Sequence, residues 1–309
     1  MLKKILVPLD GSAAAQFAIP WAATLAGKWG AELCLTRVFI QPMPYFGGEG
    51  IASGDPSIYE ESKVVQKDAI EQQAQAVGQT YPSLQVSGTL IDGSESTAGV
   101  LANYAQEQQV DLTVMTTHGK GAFARFWLGS VADSYLKIAT GKILLVRADP
   151  EQQPTGTPTI KHVVIPLDGS RFAEQALAPG FALAKEFQAS VTLLLVLDSV
   201  EDIRGLIARI NKPGLDLELI ERALPAAKAY VQGVAEQHSH CGLPIEQRVL
   251  EHGTASAEIL AQAGSPETLI ALASHGHGGL SRMLFGSVAD KVVRGAVGPV
   301  LIVRAADEE

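Results

Sequence analysis

Residues 5–12 read ILVPLDGS and residues 163–170 read VVIPLDGS. An aliphatic run that breaks into Pro-Leu-Asp-Gly-Ser reads as a buried strand ending in a turn into a helix. Gly11 and Gly169 let the backbone turn out of the strand, and Ser12 and Ser170 are natural N-caps for the helix after it. Asp10 and Asp168 then stand at the carboxyl edge of the strand. Further along, THGKGAFARFWLGSVAD at 117–133 is answered by SHGHGGLSRMLFGSVAD at 274–290. The first pair of segments is offset by 158 residues and the second by 157, so register holds across more than a hundred positions. That is the mark of a duplicated unit.

The totals agree with two domains. A chain of 309 residues matches two units of about 150 residues each, and 47% hydrophobic with 18% charged residues is an ordinary globular composition. Asp149–Thr159 carries three prolines and no apolar period, which makes it a linker. The expected domains are therefore 1–148 and 160–309. A net charge of −9 and a pI near 5.3 argue against nucleic acid or an anionic membrane as partner. They leave room for an anionic ligand held by backbone N–H groups. No segment approaches the ~20 apolar residues of a membrane span. Residues 1–5 run into a strand pattern with no signal-peptide core, so the expectation is a soluble, cytoplasmic protein. Cys34 and Cys241 lie in different halves without metal or redox spacing and read as two small buried hydrophobes.

Apolar runs near 4–9, 32–39, 85–91, 111–116 and 142–147 alternate with helical patterns near 12–29, 57–80, 95–107 and 130–140. The second half repeats the strands near 161–167, 190–197, 245–251, 268–273 and 299–304. Val/Ile/Leu-rich strands separated by helices imply right-handed βαβ units in a parallel sheet, α/β in class. The expected strand order in each half is 3-2-1-4-5, with a ligand crevice at the switch between strands 1 and 4. Both repeated motifs fall there. In the second motif Gly119 and Gly276 permit close backbone approach. After nine intervening residues Gly129-Ser130 and Gly286-Ser287 open the last helix of each half. The first N–H groups of that helix are unpaired and its dipole is positive there, which suits phosphates.

This spacing resembles the ATP motif of the universal stress protein family, Gly-x2-Gly-x9-Gly-(Ser/Thr), together with the family's first-strand Asp. The resemblance runs over nearly the whole chain as two family domains in tandem. It implies two Rossmann-like domains, each with a five-stranded parallel sheet flanked by helices, that bind ATP carrying Mg²⁺. It places adenosine at Asp10 and Val38 in one half and at Asp168 and Val196 in the other. The full implied sites comprise Pro8, Leu9, Asp10, Val38, Met115, Gly119, Gly129, Ser130 and Val131, and then Pro166, Leu167, Asp168, Val196, Leu272, Gly276, Gly286, Ser287 and Val288. The family's first motif glycine is replaced by Thr116 and by Ala273, each adding a Cβ at the strand exit. In the family the closing edge strand pairs domains or subunits. Here those strands are 143–146 and 300–303, implying that the halves pair with each other and that the chain forms a homodimer.

Other residues invite weaker readings. His118 and His275, at matching places, suit phosphate donors, acid/base groups or simple loop residues. Arg125 and Arg282 recur too and suit either phosphate or solvent. His238-Ser239-His240-Cys241 has the residue types of a metal site but no counterpart in the first half. Trp21, Trp29 and Trp127 read as packing on helix faces. The Pro/Gly-rich stretch 41–56 reads as a long loop and a candidate lid, whereas 201–217 looks partly helical. Three functions stay open: a nucleotide-dependent sensor or regulator of the stress response, a slow ATPase, and a nucleotide-independent dimeric interaction module. No general base is legible, and the pyrophosphatase-type Ser-Gly-Gly loop is absent after strand 1, so the chain is not expected to be an enzyme.

Overall fold

The computed structural model describes residues 2–40, 45–46, 52–53, 56–93, 96–117, 128–148, 157–197, 218–251, 253–274 and 286–304. Two compact units emerge, parting between Thr157 and Pro158, except that Leu128 and Gly141–Arg147 belong to the second.

In the first unit the order is β1 (Lys4–Pro8), α1 (Ala18–Trp29), β2 (Glu32–Ile40), α2 (Pro56–Thr80), β3 (Val86–Gly93), α3 (Thr97–Glu107), β4 (Leu112–Thr117) and α4 (Ser130–Ile138). The strands run parallel in the order β3-β2-β1-β4. Ile5, Leu6 and Val7 are each 0% exposed. A strand flanked on both edges and covered on both faces must be apolar at every position rather than at alternate ones. The helices bury stripes at helical spacing, as at Ile70, Ala74 and Val77 of α2. In α4 the fully buried Tyr135 hydroxyl bonds the Thr113 hydroxyl of β4 at 2.9 Å, and burial pushes its pKa up to about 12.

The second unit contains β5 (Gly141–Arg147), β6 (His162–Leu167), α5 (Arg171–Glu174), α6 (Leu177–Phe187), β7 (Ser190–Val196), α7 (Glu218–His238), β8 (Ile245–Leu250), α8 (Ala255–Gln262), β9 (Thr268–Ser274), α9 (Ser287–Gly295) and β10 (Val300–Arg304). Strands β8-β7-β6-β9-β10 are parallel neighbours in that order. β5, read from sequence as the last strand of the first half, lies antiparallel on β10, with Leu145 opposite Val300 and Gly141 opposite Arg304.

Three local expectations change. The helix expected from residue 12 begins as a turn and a 3-10 segment, Ala15–Phe17, before α1 proper, because Asp10 and Ser12 commit their acceptors to the turn. Cys34 is buried but Cys241 only half-buried, and both thiols are free. Within the stretch 41–56, Tyr45–Phe46 and Ala52–Ser53 form a short antiparallel pair; its remaining residues up to Asp55, like 201–217, lie outside the described residues. Among the described residues, no helix is long and apolar enough to cross a membrane.

Candidate functional site

The end of each first strand builds the same turn. Asp10 Oδ1 accepts the Ser12 N–H at 2.8 Å, and Ser12 Oγ accepts the Ala15 N–H at 3.1 Å. In the second unit Asp168 Oδ1 accepts the Ser170 N–H at 2.7 Å, and Ser170 Oγ accepts the Ala173 N–H at 2.9 Å. Gly11 and Gly169 between them take φ of +83° and +79°, a region that strongly favours glycine. Each carboxylate therefore already orders its own turn, while its side chain stays exposed.

The sheet brings the other candidates to the same edge. Pro8 pairs with Thr36 and Pro166 with Leu194; the same register continued sets Asp10 level with Val38, and Asp168 level with Val196. On the other flank, Leu6 pairs with Thr113 and Val164 with Ile270, so Met115 comes level with Pro8, and Leu272 with Pro166. Leu9, Leu167, Met115 and Leu272 are buried, whereas Pro8, Pro166, Val38 and Val196 are half-buried.

Helices α4 and α9 open at the switch side. Gly129 and Gly286 are their N-caps, and neither helix carries a side-chain cap hydrogen bond. Their ladders start only with Asp133 N–H to Gly129 O at 2.8 Å and Asp290 N–H to Gly286 O at 2.9 Å. Ser130 and Ser287 are exposed, Val131 is half-buried and Val288 is 39% exposed. Gly129 itself is buried and Gly286 half-buried. Among the described residues no side chain caps the first-turn donors, which open beside the exposed Ser130 and Ser287. Thr116 and Ala273, at the strand exits, are half-buried. Gly119, Gly276, His118, His275, Arg125 and Arg282 lie outside the described residues.

A model of the universal stress protein family matches residues 1–147 and again 159–304. The chain belongs to this family. A universal stress protein of Mycobacterium tuberculosis is 26% identical over 306 residues, covering 97% of this chain and 96% of its own length. A relative from Methanocaldococcus jannaschii is 35% identical over 150 residues, 48% of this chain and 85% of its own. In three dimensions a universal stress protein from Archaeoglobus fulgidus aligns with a TM-score of 0.65 at 18% identity, covering 99% of this chain and 97% of that one. That likeness bears on fold. This universal stress protein is thus a tandem member, with an α/β fold in each family repeat.

The metal-like cluster at 238–241 has another role. The His238 ring stacks on Phe181 with centroids 4.4 Å apart, and its Nδ1 donates to the Val234 carbonyl at 2.9 Å. Among the described residues no group of His, Cys, Asp and Glu has metal-site geometry. Two features escaped the sequence reading, one at this edge and one at the opposite end of α9. The Arg37 guanidinium lies over the first turn, where a Cβ built on Gly11 would stand 2.6 Å from its Nη2; its counterpart in the second half is Leu195, so no repeat pointed to it. Arg147 reaches the far end of α9, donating from Nη2 to the Arg294 carbonyl at 2.8 Å and from Nε to the Ala296 carbonyl. Burial lowers its pKa.

Proposed function

We propose that each half of the chain binds an adenine nucleotide, ATP with Mg²⁺ carried on its phosphates, and that the protein acts in the cytoplasm as a nucleotide-dependent sensor or regulator, not as an enzyme. Adenosine would lie against Asp10 and Val38 in the first site and against Asp168 and Val196 in the second. The phosphates would meet Gly129-Ser130 and Gly286-Ser287. The observation that carries the reading is the helix start without a side-chain cap, twice, on the strand flanking a repeated Asp-Gly-Ser turn. Ser96, by contrast, closes the start of α3 by accepting the Gly99 N–H at 3.2 Å, while α1, α6 and α8 also start without a side-chain cap. What sets these two starts apart is the Gly-Ser repeat beside the Asp-Gly-Ser turn. Four orphan N–H groups at an exposed terminus favour an anion. The donors fit phosphate, and membership of the universal stress protein family adds support. Under the same reading the halves pair with each other and the chain forms a homodimer.

A second reading has a specific basis: a dimeric interaction module without nucleotide. Both aspartates are engaged in their own turns, and Thr116 and Ala273 add Cβ atoms at the strand exits. Thermal unfolding of protein stripped of copurified nucleotide separates the two. Mg-ATP at 100 times its Kd should add about 2.7 kcal/mol of stability. A shift reduced in the Asp10→Ala/Asp168→Ala protein supports nucleotide binding at these turns. No shift with Mg-ATP, Mg-ADP or cyclic AMP at millimolar concentration leaves the interaction module.

A further inference from the structure

The nine-residue helix Ser287–Gly295 is held at both ends. At its start lie Gly286 and Ser287, the phosphate end of the second site under the reading above. At its far end the Arg147 guanidinium takes the Arg294 and Ala296 carbonyls, which carry the negative end of the helix dipole. Polar contacts run between the two ends without a break. The Asp290 N–H donates to Gly286 O at 2.9 Å. The Asp290 carboxylate accepts Arg294 Nε at 2.9 and 3.0 Å. The Arg294 carbonyl then accepts Arg147. Ala289, Val292 and Val293 are buried, so the helix cannot slide without disturbing the core beneath it. Arg147 itself closes the strand Gly141–Arg147, whose residues 141–145 pair with 300–304. One helix thus has the candidate phosphate donors at one end and, at the other, a strand from the first family repeat.

We propose that Arg147 is a positioning residue for the second nucleotide site: by fixing the C-terminus of Ser287–Gly295 it sets the helix start that receives the phosphates. Phosphate binding and docking of Gly141–Arg147 then stabilise each other. This rests on the nucleotide reading of Gly286-Ser287. An anion at the start and a cation at the end favour the same helix, and linkage makes the effect reciprocal. Arginine suits the place because its planar fork reaches two carbonyls at once, which the point charge of lysine does not.

The test uses the full chain with Asp10→Ala, which disables the first site, and compares Arg147, Arg147→Lys and Arg147→Met by calorimetric Mg-ATP titration and by amide hydrogen exchange. Affinity at the second site should fall about three- to tenfold in Arg147→Met and by less in Arg147→Lys. ATP should slow exchange of the amides of residues 142–146 when Arg147 is present and not in Arg147→Met. Equal affinities with equal ATP-dependent protection would overturn the proposal and leave nucleotide binding standing. No ATP binding with Arg147 in place would overturn both. Should Arg147→Met fail to fold, Arg147→Lys decides alone: weakened affinity with little change in melting supports the proposal, and unchanged affinity overturns it.

Discussion

After its first strand each half makes the same turn: the Ser N–H donates to Asp at 2.8 and 2.7 Å, the third amide after Ser donates to its Oγ at 3.1 and 2.9 Å, and the glycine takes φ of +83° and +79°. Two strands outward the halves differ. Leu35 pairs with Gly88 and its equivalent Leu193 with Gln247. At Gly88 the helix Pro56–Thr80 comes so close that a Cβ would stand 2.5 Å from the Ile70 carbonyl oxygen. At Gln247 there is instead a groove of about 550 Å³, lined by Lys228, Gln232, Arg248 and Val249 among others. The turn must satisfy backbone direction and several hydrogen bonds at once, so few residues serve. An edge strand needs only to be covered or wetted, and either solution suffices.

Substitutions at the turn and at the edge put that contrast to the test. The largest effect is expected at the outer edge: Gly88→Val should destabilise by about 1–3 kcal/mol through overpacking against helix backbone. Gln247→Ala, facing the groove, should stay within about 0.5 kcal/mol. Urea unfolding reads both, and equal costs would contradict the different packing of the edges. At the turn, Asp10→Ala and Asp168→Ala should each cost about 1 kcal/mol and by similar amounts, as loss of a turn and capping acceptor does. Unequal costs would show that one copy of the turn carries more than the other. Beneath the first site, Tyr135→Phe leaves the Thr113 hydroxyl unpaired and should cost about 1 kcal/mol. Adding Thr113→Val should recover most of it, because the second half fills the same positions with Val292 and Ile270.

The smallest effect concerns pH. His162 Nδ1 lies 2.7 Å from Ser190 Oγ and Nε2 lies 3.0 Å from Thr192 Oγ1, which donates to Glu246 at 3.2 Å. Burial lowers the His162 pKa, with Glu246 opposing and Arg248 adding to the shift. A folded-state pKa below the unfolded value of about 6.5 favours the neutral ring. Its contribution to stability is present above that unfolded value and is lost as pH falls through the folded one. The melting temperature should therefore decline slightly more below pH 6.5 than in His162→Gln. Lys4, Glu32, Cys34 and Ser87 stand at the equivalent places in the first half, which has no histidine there.

Much of this architecture could be read from the chain. The strands expected at 32–39 and 268–273 end within a residue of Glu32–Ile40 and Thr268–Ser274, because uninterrupted aliphatic runs bounded by turn residues have one reading in a duplicated α/β chain. The register of β1 with β2 carries Asp10 to Val38, the pair that the family resemblance implied. The aliphatic run alone did not give the partner of Gly141–Arg147, since a run buried on both faces says that a strand is flanked, not by which strand; only the family resemblance pointed to 300–303. Arg37 and Arg147 were missed for a related reason. A long side chain acts at a distance from its own backbone, and a helix C-terminus accepts a cation without leaving a pattern in the helix. At 238–241, residue types suggested metal ligands, but Phe181, more than fifty positions away, takes the His238 ring.

If both halves bind nucleotide, stoichiometry must show it. Calorimetric titration of the stripped full-length chain with Mg-ATP should give two sites per chain, one in either Asp10→Ala or Asp168→Ala when each mutation abolishes its own site, and none in the double variant. Absence of saturable binding in the unsubstituted chain, or two sites persisting at undiminished affinity in the double variant, would contradict it.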